Sequence, residues 1–80
     1  MKKRQDSANK PISAGDIVEN WQGRRCVAHY EGKTCILRDD AGDLKTPVRV
    51  IATAGTPEAE HTDTSNQGMR PSWYLGMQKR

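Results

Sequence analysis

The chain has 80 residues and a formal net charge of +3, and only 34% of its residues are hydrophobic. This length allows one small domain, and the composition excludes a large enzyme, a multidomain protein and a protein that spans a membrane. Phenylalanine is absent, and the aromatic residues are two tryptophans and two tyrosines. The hydrophobic core must therefore be small.

The N-terminal segment is basic and shows no apolar periodicity. Its only acidic residue is Asp6, and its basic residues are Lys2, Lys3, Arg4 and Lys10. We predict a flexible basic arm over residues 1–12. Basic arms attract phosphate backbones through long-range electrostatics, so Lys2, Lys3 and Arg4 are candidate nucleic-acid-binding residues. The alternative is that this charge only keeps a frayed terminus in solution.

The cellular compartment that we expect follows from the lack of long apolar stretches in the sequence. No apolar stretch follows the basic start as it would in a signal peptide, and no run of about 18 apolar residues occurs anywhere in the chain. The sequence therefore predicts a cytoplasmic protein without a membrane partner.

From residue 13 onward, apolar and polar residues alternate between glycine-containing turns. Such short alternating runs are typical of antiparallel strands. The predicted strands cover residues 17–21, 24–31, 34–38, 44–46 and 48–51. No amphipathic helix can be written through residues 13–51, so we predict an all-β domain.

A tight turn at Gly23 separates one tryptophan from two arginines. Trp21 precedes this turn and Arg24 and Arg25 follow it, so the three side chains should meet at one edge of the domain. Guanidinium groups suit phosphates, and an exposed tryptophan stacks on a base. Trp21, Arg24 and Arg25 are therefore further candidate nucleic-acid-binding residues. Alternatively, Trp21 covers one end of the domain and Arg24 pairs with Glu19.

Both cysteines lie within predicted strands, with eight residues between them. We expect Cys26 and Cys35 to be reduced and structural, because cytosolic thiols stay reduced and a buried cysteine behaves as a small apolar residue. A disulfide between neighbouring strands is one alternative. A zinc site that adds His29 and His61 is another, although the cysteine spacing is not a standard one for zinc. We predict no metal.

The sequence contains no recognisable set of catalytic residues. Neither histidine has a partner that the sequence reveals, and no glycine-rich phosphate-binding motif occurs. The acidic run of Asp39, Asp40 and Asp43 reads as a solvated turn, because its spacing is not that of a calcium loop. We expect a protein that is not an enzyme and has no cofactor.

The composition changes after the last predicted strand. Residues 53–68 have the composition of a polar linker, and residues 69–80 form a tail segment rich in aromatic residues and methionine. We predict a partly disordered tail whose apolar side chains bind a partner protein, and these are Met69, Trp73, Tyr74, Leu75 and Met77. The alternative is that the tail folds back to complete the core, but the long polar tether favours a recognition segment.

The order of turns and strands in residues 13–52 resembles a known small fold. Gly15-Asp16 opens the first strand, glycines follow at the next two turns, and Asp39-Asp40-Ala41-Gly42 precedes Pro47-Val48. This order is similar to that of SH3-like barrels, including KOW-type modules of transcription and translation factors and the small barrels at the ends of some transposases. The resemblance implies an antiparallel barrel of four or five strands.

These expectations combine into two hypotheses on function. The first is a non-catalytic binding module that acts on nucleic acid, with weak affinity, or on a protein of a nucleic-acid-handling complex. The second is a protein-interaction or inhibitory accessory protein, as a mobile element would carry, that uses its C-terminal Trp73-Tyr74 segment.

Overall fold

The computed structural model describes residues 3–78, which form seven short strands and two short helices. The strands are β1 (Ile17–Asn20), β2 (Arg25–Val27), β3 (His29–Glu31), β4 (Thr34–Ile36), β5 (Arg38–Asp39), β6 (Gly42–Asp43) and β7 (Val48–Ala52). The helices are α1 (Pro57–His61) and α2 (Ser72–Gln78). Neither of these helices is long and apolar enough to cross a membrane.

The strands of the described residues form three small antiparallel sheets and no closed barrel. The sheets have the strand orders β2-β1-β7, β3-β4 and β5-β6. The prediction of a strand-rich, antiparallel domain is therefore confirmed, and continuous barrel closure is not seen. The predicted strands at residues 24–31 and 34–38 are each divided into two shorter strands. Ala28 interrupts the first, because its backbone N–H donates to the carbonyl of Asp16. Leu37 interrupts the second, because its carbonyl accepts from the N–H of Leu44.

Alternation along the divided second strand is confirmed. Cys26 and Ala28 are buried, whereas Val27 and His29 between and after them are exposed. The predicted strand at residues 44–46 is wrong, since the pairing in this region is made two residues earlier by β6. The buried core that results is small and consists of Ile12, Val18, Cys26, Ala28, Leu37, Leu44 and Val48.

The first residues form a closed turn, which corrects the prediction of a flexible arm. Gln5 bridges Pro11, and the side chain of Ile12 is completely buried. The buried Asp6 carboxylate accepts hydrogen bonds from backbone N–H groups of its own turn and, at 2.9 Å, from that of Val50 in β7. The positive charge of the segment suggested a solvated arm, but one carboxylate and one isoleucine attach it to the domain.

Strand β1 is covered on both of its faces. Its four residues are all buried, although successive side chains of a strand point to opposite faces. Val18 belongs to the core cluster, so Glu19 points to the other face of the sheet, where it accepts a hydrogen bond from Trp73. The C-terminal tail is therefore the cover of this outer face.

The predicted linker and tail are ordered over residues 53–78, which corrects the expectation of partial disorder. Helix α1 is capped by Thr56, the N–H of Gln67 donates to the carbonyl of Gly23 at 2.9 Å, and α2 carries Trp73 onto the sheet. Neither helix contains a buried residue. The linker part, residues 53–68, is polar as its composition indicated, and hydrogen bonds to the domain hold it in place.

Candidate nucleic-acid interface

Arg24 and Arg25 are occupied by carboxylates of the domain. The Nε of Arg24 donates to Asp39 Oδ2 at 2.8 Å, and the Nε of Arg25 donates to Glu19 Oε2 at 2.7 Å. Arg25 also donates through Nη1 to the carbonyl of Asp63 at 2.8 Å. The alternative pairing of Arg24 with Glu19 is therefore wrong, because Arg25 takes that partner. Both guanidinium groups are neutralised within the protein.

Asp39 is the most strongly perturbed acid of this region. The hydrogen bond from Arg24 holds the pKa of the Asp39 carboxyl well below its usual range, and the backbone N–H of Ala41 acts in the same direction. The same contact raises the pKa of Arg24. Both groups therefore stay charged at neutral pH, and their pair is a structural one.

Glu19 attaches the tail to the sheet. Its carboxylate is almost completely buried, and its second oxygen, Oε1, accepts from the indole Nε1 of Trp73 at 2.9 Å. With Arg25 on the other oxygen, the charge is compensated and both oxygens have partners. Asn66 reinforces the contact, because its Oδ1 accepts from the backbone N–H of Arg25 at 3.0 Å.

The loop between β1 and β2 is held rigid beneath the tail. The Oδ1 atom of the buried Asn20 accepts from the backbone N–H groups of Gln22 and Arg24 at 2.9 and 3.0 Å. The backbone N–H of Trp21 donates to the carbonyl of Pro47 at 3.1 Å. These bonds fix the position from which the indole of Trp21 projects.

Three aromatic rings and two arginines then form a continuous surface, which we call the aromatic–arginine cluster. Arg49 Cζ lies 5.6 Å from the ring centroid of Trp73. The Trp73 and Tyr74 centroids are 6.1 Å apart, those of Tyr74 and Trp21 are 5.7 Å apart, and Arg70 Cζ lies 5.5 Å from that of Trp21. Both arginine contacts have cation–π distances.

The cluster keeps part of its surface in solvent. Trp21, Trp73 and Tyr74 are half-buried, and the two ring pairs are inclined at 48° and 78°, so no ring is covered by a parallel neighbour. Within the described part of the chain, the ion pairs are made by Arg24, Arg25 and Arg38, and no carboxylate pairs with the arginines of the cluster. Glu19 is the cross-strand neighbour of Arg49, but its carboxylate forms its ion pair with Arg25.

Sequence reasoning missed both arginines of the cluster. The alternation Val48-Arg49-Val50 places Arg49 on the face of β7 opposite the core, and this much was readable from the pattern. Arg70 carries no such signal, because it lies in a segment without periodicity. Contact with Trp73 and Trp21 exists only because the tail returns to the sheet.

The basic residues at the N-terminus lie elsewhere. Lys3 donates to Ser13 Oγ at 2.9 Å, and Arg4 lines a cleft beside Cys35 and Leu44. Lys2 lies outside the described residues. The structure does not bring Lys3 and Arg4 together with Trp21.

The five tail residues predicted to bind a partner divide into two groups. Trp73 and Tyr74 contact the protein's own sheet and loop, as described above. Met69, Leu75 and Met77 remain exposed, with 72%, 44% and 43% of their surface accessible to solvent.

The cysteines are free thiols. Cys26 is buried and Cys35 half-buried, and burial raises the pKa of the Cys26 thiol to about 11. A thiol with such a pKa is inert at neutral pH. Residues 3–78 contain no group of three or more His, Cys, Asp or Glu side chains that could hold a metal ion, so His29 and His61 do not join the cysteines in a zinc site there.

The cluster offers positive charge and flat apolar surfaces side by side. A cleft of about 440 Å³ adjoins it, between the tail and the sheet, and is lined in part by Arg70, Trp73 and Ile51. Comparisons of the chain with protein-family models, with curated proteins and with solved structures found no match.

Proposed function

We propose that this protein is a small, non-catalytic binding module of the cytoplasm that contacts nucleic acid through the aromatic–arginine cluster. The observation that carries the proposal is the run of contacts from Arg49 through Trp73, Tyr74 and Trp21 to Arg70. Arginine donates to phosphate oxygens and stacks on planar rings, and aromatic side chains stack on bases. The cluster supplies both kinds of group.

The choice of arginines differs from the one that the sequence suggested. Arg24 and Arg25 would have to give up Asp39 and Glu19 before they bound phosphate, and leaving a buried carboxylate unpaired costs several kcal/mol. Arg49 and Arg70 have no such partner to lose among the described residues. The resemblance of residues 13–52 to KOW-type modules adds support, since those modules belong to transcription and translation factors.

A titration with fluorescent oligonucleotides at about 50 mM salt tests the proposal. We expect micromolar or weaker binding, and a loss of at least about fivefold in affinity for each of Arg49→Gln and Arg70→Gln. The matched control is Arg38→Gln, which removes the same charge from the exposed pair with Asp43 and should leave the affinity within about twofold of the original. Absence of binding to any polynucleotide, or an equal loss in all three variants, would contradict the proposal.

A second candidate function is the binding of a protein partner, and the exposed Met69, Leu75 and Met77 favour it. Three large apolar side chains on one short segment are the kind of surface that partners cover. Oligonucleotide binding by the unaltered protein distinguishes the two functions. Under the nucleic-acid proposal the unaltered protein binds, and the double variant Leu75→Ser/Met77→Ser binds with the same affinity. Under the second function the unaltered protein does not bind the oligonucleotide.

A further inference from the structure

We infer that the aromatic–arginine cluster selects single-stranded over double-stranded nucleic acid, with unpaired bases stacking on Trp21, on Trp73 and on the guanidinium groups that lie over these two rings. This inference rests on the proposed nucleic-acid function and specifies its ligand. The juxtaposition behind it is that of two arginines unpaired within residues 3–78, Arg49 and Arg70, with three half-buried rings.

The aromatic rings can stack on unpaired bases but not on the paired bases inside a duplex. Faces of paired bases are hidden in the helical stack, whereas an unstacked base can lie on an aromatic ring or on a guanidinium plane. A guanidinium held over an indole can stack on a base with its other side and still donate N–H groups to a phosphate. Arg70 over Trp21 and Arg49 over Trp73 are two such positions.

Space for a base exists next to the cluster. The cleft of about 440 Å³ between the tail and the sheet is bounded by Arg70 and Trp73. Sites for drug-sized ligands begin at about 300 Å³, and a single nucleobase is smaller than such a ligand. An extended strand can therefore place one base in this cleft and another on Trp21.

The surroundings of the cluster do not suit a duplex. Proteins that read duplex DNA through the major groove place a helix or a β-ribbon there and neutralise many phosphates. The helix nearest the cluster, α2, has seven residues and no charged side chain. Among the described residues, the two arginines of the cluster that no carboxylate neutralises are Arg49 and Arg70. Phosphate contacts from these two give little affinity, and stacking must supply most of it.

The expected free energy of stacking and the expected salt dependence of binding are both large enough or distinct enough to measure. Stacking on an aromatic side chain contributes about 1–3 kcal/mol per base. Two phosphate contacts give a slope of only about −1.4 in a plot of log affinity against log salt for a single strand. We therefore expect binding that depends strongly on bases and weakly on salt.

The experiment compares four probes by fluorescence anisotropy with the full chain: a 15-nucleotide oligo(dT), the same length of oligo(U), an abasic strand with the same phosphates, and a hairpin duplex. We expect oligo(dT) to bind at least about tenfold more tightly than the duplex and the abasic strand. The affinity for oligo(U) should lie within about threefold of that for oligo(dT), because stacking does not involve the 2′-hydroxyl group. A larger gap between these two would contradict stacking as the main interaction.

Two variants assign the effect to the cluster. Trp21→Leu should lower oligo(dT) affinity by about tenfold, with circular dichroism as the check that the variant folds. Arg70→Lys keeps the charge and removes the planar group, so it should reduce the preference for the single strand while the salt slope stays the same. Equal affinity for duplex, abasic strand and oligo(dT) would overturn the inference and leave the proposed function standing, whereas no binding to any probe would overturn both.

Discussion

At the scale of single residues, buried polar side chains join segments of the domain around a small apolar core. The almost completely buried polar residues are Asp6, Asp16, Glu19 and Asn20. In residues 3–78 every buried side-chain nitrogen or oxygen atom has a hydrogen-bond partner. Asp16 illustrates the pattern, because its two oxygens accept from the N–H groups of Ser13 and Ala54 and so join the start of β1 to the end of β7. With so small an apolar core, losing one such acceptor costs a large part of a marginal stability.

The ion pair of Arg24 with Asp39 predicts a pH dependence of stability. Because the folded protein holds the pKa of Asp39 below its value of about 3.9 in an unfolded chain, the unfolded state takes up this proton at a higher pH than the folded state. The contribution of the pair is then complete above about pH 5 and is lost as the pH falls through the lowered pKa. We expect Asp39→Asn to lower Tm at pH 7, and the gap to the original protein to narrow toward pH 2.

The control for this series is Asp43→Asn, since the pair of Asp43 with Arg38 is exposed on both sides. Exposed pairs contribute little to stability, so its Tm should follow that of the original protein throughout. A gap for Asp39→Asn that stays constant from pH 7 to pH 2 would show that the carboxylate charge has no part in stability.

At the scale of elements, the strands are too short to be stable by themselves and depend on what attaches to their edges. Strand β7 shows this most clearly. It pairs with β1 along one edge, and on its other side it contacts the N-terminal turn, where Ser7 donates its N–H to the carbonyl of Val48 and Asp6 accepts from Val50. The turn thus occupies hydrogen-bonding groups that an unprotected edge strand would offer to other chains.

We predict that Asp6→Ala destabilises the protein by about 2 kcal/mol, because the backbone N–H groups of Ala8, Lys10 and Val50 lose their buried acceptor. Urea unfolding measures the change. Asp40→Ala serves as the control, since Asp40 is exposed and surface substitutions usually stay within about 0.5 kcal/mol. Equal stability of the two variants would mean that the N-terminal segment is the detached arm that its charge suggested.

At the scale of the whole molecule, the tail closes the outer face of the central sheet and assembles the candidate site. The crossing point is the loop between β1 and β2, where Gly23 has a φ of +79° and an added Cβ would lie 2.2 Å from the carbonyl oxygen of Met69. Only glycine permits this approach, since any side chain would collide with the backbone of the tail. The domain and the aromatic–arginine cluster are therefore parts of one folding unit.

The prediction at this scale compares two glycine substitutions of similar backbone conformation. Gly32 has a φ of +60° and open space around it, so Gly32→Ala should cost only the strain of a left-handed residue, about 1–2 kcal/mol. Gly23→Ala carries the same strain and also displaces the tail. We expect it to be clearly less stable in urea and to show tryptophan emission shifted to longer wavelength in the native state. Equal stability and unchanged emission would contradict the crossing described here.

The local features of this protein can be predicted from its sequence. Alternation predicted β1, the faces of Cys26 and Val27, and a strand-rich domain, because side-chain direction in a strand follows from a period of two residues. The content of polar residues also identified the linker at residues 53–68 as a segment with little apolar surface to bury. These properties depend on neighbours along the chain, and so a single sequence contains them.

Tertiary structure alone decided which polar groups meet. Asp6, Glu19 and Asp39 are all acidic, and the sequence does not distinguish their partners. In the fold, Asp6 accepts from backbone N–H groups, including that of Val50. Glu19 binds Arg25 and Trp73, and Asp39 binds Arg24. Hydrogen bonds between residues far apart in sequence carry no periodic signal, which is why an apparently flexible arm and linker are attached to the domain. The same reason explains why Trp21 contacts Arg70. Arg24 and Arg25 have the same guanidinium group as Arg70, but they form ion pairs with Asp39 and Glu19 elsewhere in the fold.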